Sequence, residues 1–238
     1  VASVELERLL RSQGFGSRPD CRALVRQGRI SIGGEVCEDP YAEFDPAGLE
    51  FIVDGVSWLY RDKVYLALHK PGGYECSHQV RHHPSVYELL PKPLLTRDVQ
   101  SVGRLDEDTT GLLLFSDDGQ FIHTYTSPKK HVTKLYRVTT KHRVDARQIA
   151  ELLAGVQLHD EPAPIAAAAC AQTGEYELAL TVTEGKYHLV KRMIAAVSNR
   201  VEALHRSAIG GLTLPADLLI GQWRFLDAGQ ISVLAGRG

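Results

Sequence analysis

Val102-Gly103-Arg104-Leu105-Asp106-Glu107-Asp108-Thr109-Thr110-Gly111-Leu112-Leu113-Leu114-Phe115 sets three acidic side chains between a glycine turn and an apolar run. The run reads as a buried strand, closed by the turn signal Ser116-Asp117-Asp118-Gly119. An acidic loop held against a buried strand can present a carboxylate in a fixed, partly desolvated position. On spacing alone, a solvated loop is the plainer alternative. Asp106, Asp108, Thr110, Gly111 and Asp117 come near the spacing of a calcium loop, but the twelfth position is Asp117 rather than a bidentate Glu. No helix enters at Ser101-Val102-Gly103, so calcium is set aside and no metal site is expected.

Around this stretch, strands and helices mix without a regular parallel repeat. Val64–Leu68 alternates as a strand and ends in the turn His69-Lys70-Pro71-Gly72-Gly73. A short helix is expected over Pro84–Leu90 and a helix over Gln120–Thr126. A strand follows over Lys134–Thr140, then a helix capped by Asp145 and stopped by Gly155. Ala163–Ala171 is ambiguous. Glu175–Val182 alternates as a strand, Tyr187–Val197 reads as a helix, and Val201–Ile209 and Trp223–Leu226 are late strands. The expectation is an α+β domain with a mainly antiparallel mixed sheet and flanking helices, covering residues 61–238.

The N-terminal part reads as a small α/β unit with a linker, residues 1–60. Leu6, Leu9 and Leu10 mark one face of a first helix. Ser17 and Asp20 have capping-box spacing for a second, with Pro19 tolerated in its first turn. Arg18, Arg22 and Arg26 then repeat at intervals of four, with Arg29 close to the same line. Such a row is usually a solvated face, but it also suits a phosphate backbone. Residues 38–62 are acidic and read as irregular.

The totals narrow the class. A net charge of -2 means that nucleic-acid binding must be argued from where the charges sit. Cys21, Cys37, Cys76 and Cys170 form no close pair, so neither a zinc knuckle nor a redox dithiol is suggested. No apolar stretch reaches membrane-spanning length and no signal-peptide pattern opens the chain, so a cytoplasmic protein with reduced thiols is expected.

Three basic segments accompany the acidic loop: Lys129-Lys130-His131 with Lys134 and Arg137, Lys186-Tyr187-His188 with Lys191-Arg192, and His205-Arg206. With Tyr136 among them they suit a strand of RNA whose bases can be stacked. Gly103-Arg104-Leu105-Asp106-x-Asp108-Thr109-Thr110-Gly111-Leu112-Leu113-Leu114 resembles the catalytic motif of pseudouridine synthases, in the small-subunit ribosomal RNA subgroup known as the RsuA family. Lys134-x-Tyr136-x-Val138, Gly155-Val156-Gln157-Leu158-His159, Glu184-Gly185-Lys186-Tyr187-His188-x-Val190-Lys191-Arg192-Met193 and Leu204-His205-Arg206…Ile209-Gly210-Gly211-Leu212 follow in the matching order. Gly14-Phe15-Gly16-Ser17-Arg18…Arg26-Gln27-Gly28-Arg29-Ile30 is similar to the S4-like RNA-binding domain that such enzymes carry. His69 stands where a relative would have Asn, and Leu189 where Gln is frequent.

The resemblance implies a cofactor-free isomerase that converts a uridine to pseudouridine in small-subunit (16S) ribosomal RNA. Asp106 matches the essential carboxylate, Tyr136 the tyrosine that stacks on the base, Lys191 the basic partner of the carboxylate, and Leu204 the apolar residue near the base. RNA contacts are expected from Arg18, Arg22, Arg26, Arg29, Lys70, Arg104, Lys134, Arg192 and Arg206. The expected partner is small-subunit ribosomal RNA, met as an assembly intermediate; a monomer is expected, and no membrane. Two alternatives stand: a large-subunit RNA target, and a non-catalytic RNA-binding ribosome assembly factor.

Overall fold

The computed structural model describes residues 2–235, which divide into two compact units. The first extends to Val64 and also takes in Leu90–Val99. It holds β1 (Val4–Glu5), α1 (Leu6–Ser12), α2 (Arg18–Arg26), β2 (Ile30–Ile32), β3 (Glu35–Val36), β4 (Glu43–Phe44), β5 (Glu50–Val53), β6 (Val56–Leu59) and α3 (Lys92–Thr96). Leu6, Leu9 and Leu10 are fully buried against Cys21, Val25, Ile30 and Phe51, as the apolar spacing of the two helices requires. The capping box forms: the Ser17 N–H donates to Asp20 Oδ2 at 2.9 Å, and Ser17 Oγ accepts from the Asp20 N–H. The stretch expected to be irregular instead completes an antiparallel sheet in the order β3-β2-β5-β6. Its Asp54-Gly55 turn has φ of 51° and 80°, the left-handed pair that a two-residue hairpin of matching twist demands.

Leu90–Val99 joins this unit rather than the residues on either side of it, a departure from the expected boundaries at 60 and 61. Arg97 explains the attachment. Its Nη1 donates to Gln13 Oε1 at 3.1 Å and to the Arg61 carbonyl at 2.9 Å, and its Nη2 donates to the Asp62 carbonyl at 2.9 Å. Gly14, at φ +89°, has no room for a side chain, because a Cβ would lie 2.0 Å from the Pro93 carbonyl oxygen.

The second unit contains β7 (Tyr65–Lys70), β8 (Gln100–Val102), β9 (Thr110–Ser116), α4 (Gly119–Thr126), β10 (Lys134–Thr140), α5 (Ala146–Ala154), β11 (Ala169–Gly174), β12 (Glu177–Val182), α6 (Leu189–Ala196), β13 (Val201–Ile209), β14 (Leu212–Thr213), β15 (Trp223–Phe225) and α7 (Ala228–Leu234). Its sheet runs β11-β12-β10-β13-β9-β7-β15, with β14 on β13 and β8 on β9. Every pairing is antiparallel except β9 with β13. The α+β expectation therefore holds. The helix expected at Pro84–Leu90 is a 3-10 turn over Val86–Leu89, and α7 was not anticipated. Val138, Leu178, Leu180 and Leu204 form one core with Met193 and Ile194 of α6, while Leu112, Leu114 and Ile209 form another with Phe121 and Leu234.

The parallel joint is tight. A Cβ on Gly111, at φ +113°, would lie 2.2 Å from the carbonyl oxygen and 2.7 Å from the nitrogen of Arg206. Beside it, Lys70 closes β7 opposite Gly111 and is fully buried. Its ammonium donates to the carbonyls of Thr109 (2.8 Å), Pro71 (3.0 Å) and Glu107 (3.1 Å). Burial lowers its pKa, and the nearby acids only partly oppose that. Lys70 was expected to contact RNA. It is instead an internal clamp on the acidic loop, since a side chain with no exposed surface and three carbonyl acceptors cannot reach a phosphate.

Gly111→Ala should lower the unfolding free energy by about 3 kcal/mol or more through left-handed strain and a backbone clash, whereas Gly119→Ala, with open space at its Cβ, should change it by less than about 1 kcal/mol. Lys70→Met should cost about 2–4 kcal/mol, because it strands the buried carbonyls. Denaturant unfolding of the three variants checks both.

Candidate active site

The acidic loop runs from β8 to β9 and is held at both ends. Gly103 turns at φ +76°, and Leu105 is buried, its N–H directed to Cys76 Sγ at 3.4 Å. The Thr109 N–H donates to the Asp106 carbonyl at 3.1 Å, and Lys70 grips the Glu107 and Thr109 carbonyls. These bonds fix the backbone of Asp106 while leaving its side chain 29% exposed.

Opposite the loop stands α6. Lys191 Nζ lies 3.0 Å from Asp106 Oδ2 and 2.8 Å from Asp108 Oδ1. Burial works against the Lys191 charge, but the hydrogen bonds to Asp108 and Asp106 outweigh it and its pKa is raised. His188, in the left-handed region at φ 47°, places Nε2 3.4 Å from Asp106 Oδ1. The two carboxylate oxygens of Asp106 therefore face different partners, a lysine on one and an imidazole on the other.

Tyr136 on β10 and Leu204 on β13 complete the site. Tyr136 pairs with Arg206 across the ladder, and Val138 pairs with Leu204. A cavity of about 140 Å³ is lined by Asp106, Tyr136, Lys191 and Leu204, together with Arg104, Thr109, Lys134, His188 and Arg206. An apolar cavity of roughly 150 Å³ takes up a benzene ring, so this one is the right size for a single six-membered ring. A positioned carboxylate, an aromatic face and an apolar wall around such a space suit a reaction on a planar base extruded from its stack.

The four residues expected to act on the base thus share one cleft. Among those expected to touch RNA, Arg104 is exposed at the cavity and Lys134 is half-buried in it. Burial, with Arg206 nearby, lowers the Lys134 pKa to about 8. Four arginine assignments need correction. Arg206 is buried, with its Nε donating to the Leu112 carbonyl at 2.9 Å, so it lines the cavity rather than presenting a surface contact to phosphate. Arg192 donates to the Tyr187 carbonyl at 2.9 Å and to Glu161 Oε1 at 3.3 and 3.4 Å, so its donors are committed within the fold. In the first unit, Arg22 is forked onto the buried Glu7 and Arg29 onto Asp54 (2.7 and 2.6 Å). Arg18 lies 3.7 Å from Glu7 but is half exposed, and Arg26 has no carboxylate partner among the described residues.

His188 and Asp108 were not singled out in advance, although both lie inside the quoted motifs. Their signal was proximity in sequence to Lys191 and Asp106. Of the two departures, His69 Nδ1 meets the Leu218 carbonyl at 2.8 Å, so it leaves support of the loop to Lys70. Leu189 is buried in the core beneath α6, where an apolar side chain packs without an unmet polar group. Among the described residues no group of three or more His, Cys, Asp or Glu is arranged to hold a metal, and no helix is long and apolar enough to cross a membrane.

Comparison with known proteins identifies the family. The profile of the RNA pseudouridylate synthase family matches residues 64–196, and that of the S4 domain matches residues 6–46. The chain is 37% identical over 230 residues to ribosomal small subunit pseudouridine synthase A of Escherichia coli, covering 96% of this chain and 99% of that one. It is 36% identical over 234 residues to an RNA pseudouridine synthase of Bacillus subtilis, covering 97% and 98%. A crystal structure of a pseudouridylate synthase superposes with a TM-score of 0.69 at 34% identity, covering 98% of this chain and all of that one. The chain belongs to the RNA pseudouridylate synthase family, with an S4 domain at its N-terminus.

Proposed function

We propose that this enzyme isomerises one uridine of small-subunit ribosomal RNA to pseudouridine, acting as a monomer on RNA or on an assembling ribonucleoprotein. The observation that carries the reading is the meeting of Asp106, Lys191 and Tyr136 around one ring-sized cavity. The choice of the small subunit is supported by relatives named as ribosomal small subunit pseudouridine synthases at 35–37% identity over nearly the whole chain.

The chemistry follows from the geometry. The uridine must lose its C1′–N1 bond, turn its ring and be rejoined through C5, with no net redox change. Extruding the base costs a few kcal/mol of stacking and pairing. Tyr136 replaces the lost stacking, and cationic side chains on flanking phosphates offset the rest. Asp106 serves at the sugar as nucleophile or as base, and Lys191 holds it in place. Within the S4 domain, Arg18 and Arg26 are the members of the arginine row available to a phosphate, because Arg22 and Arg29 are occupied by Glu7 and Asp54.

Asp106→Asn should reduce pseudouridine formation on 16S RNA by about 10³-fold or more. Its stability should change by no more than about 1 kcal/mol, because the pair it breaks is partly exposed. A normal rate in that variant removes Asp106 from the mechanism. In RNA-binding titrations, Arg18→Ala with Arg26→Ala should flatten the slope of log affinity against log salt by about 1–2. Arg22→Ala should leave the slope nearly unchanged and lower the melting temperature.

A further inference from the structure

Two buried side-chain polar atoms among the described residues have no hydrogen-bond partner: Thr109 Oγ1 and Arg206 Nη2. Thr109 is 1% exposed and Arg206 3%, and both line the cavity that holds Asp106 and Tyr136. An unpaired buried donor is costly, so folded proteins keep few of them, and each calls for a reason. Two in one cavity point to a ligand that supplies acceptors.

The surroundings say which kind. Arg206 is aimed by its Nε bond to the Leu112 carbonyl and sits opposite Tyr136 in the ladder. Among the described residues no carboxylate pairs with it, nor with its neighbour Lys134, whose ammonium donates to the Val132 carbonyl at 3.1 Å. The carboxylates that line the cavity are engaged elsewhere, Asp106 by Lys191 and His188, and Glu184 by Lys186 at 2.9 Å. The floor beside Tyr136 is therefore cationic and short of acceptors. A uracil ring stacked on Tyr136 brings two carbonyl oxygens to that floor. When C1′–N1 breaks, the bonding pair leaves with N1, and the negative charge spreads over N1 and both carbonyl oxygens. When C5 then bonds to C1′, C5 loses its proton and N1 gains one, so the isomerisation balances without a co-reactant.

We propose that Arg206 Nη2 and Thr109 Oγ1 donate to the polar edge of the target uracil, and that Arg206 stabilises the anionic ring during its detachment. The proposal rests on the pseudouridine synthase reading of this site and deepens it. Donors fixed in place and aimed where charge develops are the arrangement that lowers a barrier most.

The test is single-turnover pseudouridine formation at saturating 16S RNA, read beside RNA affinity, its salt slope and the melting temperature. Arg206→Lys keeps the charge but loses the fork, and its rate should fall about 100-fold with affinity and salt slope unchanged. Thr109→Val removes an unpaired hydroxyl, so its melting temperature should hold or rise while its rate falls about fivefold. If Arg206→Lys does not fold, Thr109→Val decides. Rates within twofold of wild type in the folded variants would overturn the inference. So would a salt slope flattened by about one with the rate intact, since that is the mark of a phosphate contact. A wild-type protein that forms no pseudouridine would overturn the underlying reading as well.

Discussion

The structure turns on one ion pair, Asp106 with Lys191, formed between a loop and a helix 85 residues apart in sequence by their numbering. Neither group is deeply buried, so the pair contributes little to stability. Its role is geometric. Lys191 occupies one carboxylate oxygen and His188 approaches the other, leaving the carboxylate oriented at the rim of the cavity. Asp108 shares the lysine, so a second negative charge helps keep the ammonium protonated despite its partial burial.

The scaffold serves that pair by fixing the loop's backbone. The Lys70 ammonium, buried at the end of β7, grips three carbonyls, and Gly111 lets β9 and β13 close into their parallel joint. The joint in turn places Arg206 and Leu204 beside Tyr136. Backbone constraint and side-chain chemistry are thus carried by different residues of one motif. Gly111 and Thr109 shape and line the site, and Asp106 presents its carboxylate to it.

Much of this was legible in the sequence. The glycine-acid-apolar stretch announced a pinned carboxylate, and the alternation at Lys134–Thr140 and Glu175–Val182 announced the strands that carry Tyr136 and pack against it. The residues misread were cations. Lys70 and Arg206 look like surface charges, but one is satisfied by carbonyls that the loop supplies and the other is sunk at a strand crossing. Neither partner set has a sequence signature. The arginine row was overcounted for a related reason, because Glu7 and Asp54, which neutralise Arg22 and Arg29, lie 15 and 25 residues away. Leu90–Val99 escaped notice because a five-residue helix has no period to read, and its attachment depends on the fork of Arg97.

The central claim is that a cation at position 191 orients the carboxylate for work on the extruded nucleotide. The single-turnover rate of Lys191→Gln against Lys191→Arg on 16S RNA tests it most directly. The account predicts a loss of about 100-fold or more for Gln and a rate within about tenfold of wild type for Arg, because only the charge and its reach are needed. A Gln variant that turns over as fast as the wild type would contradict it.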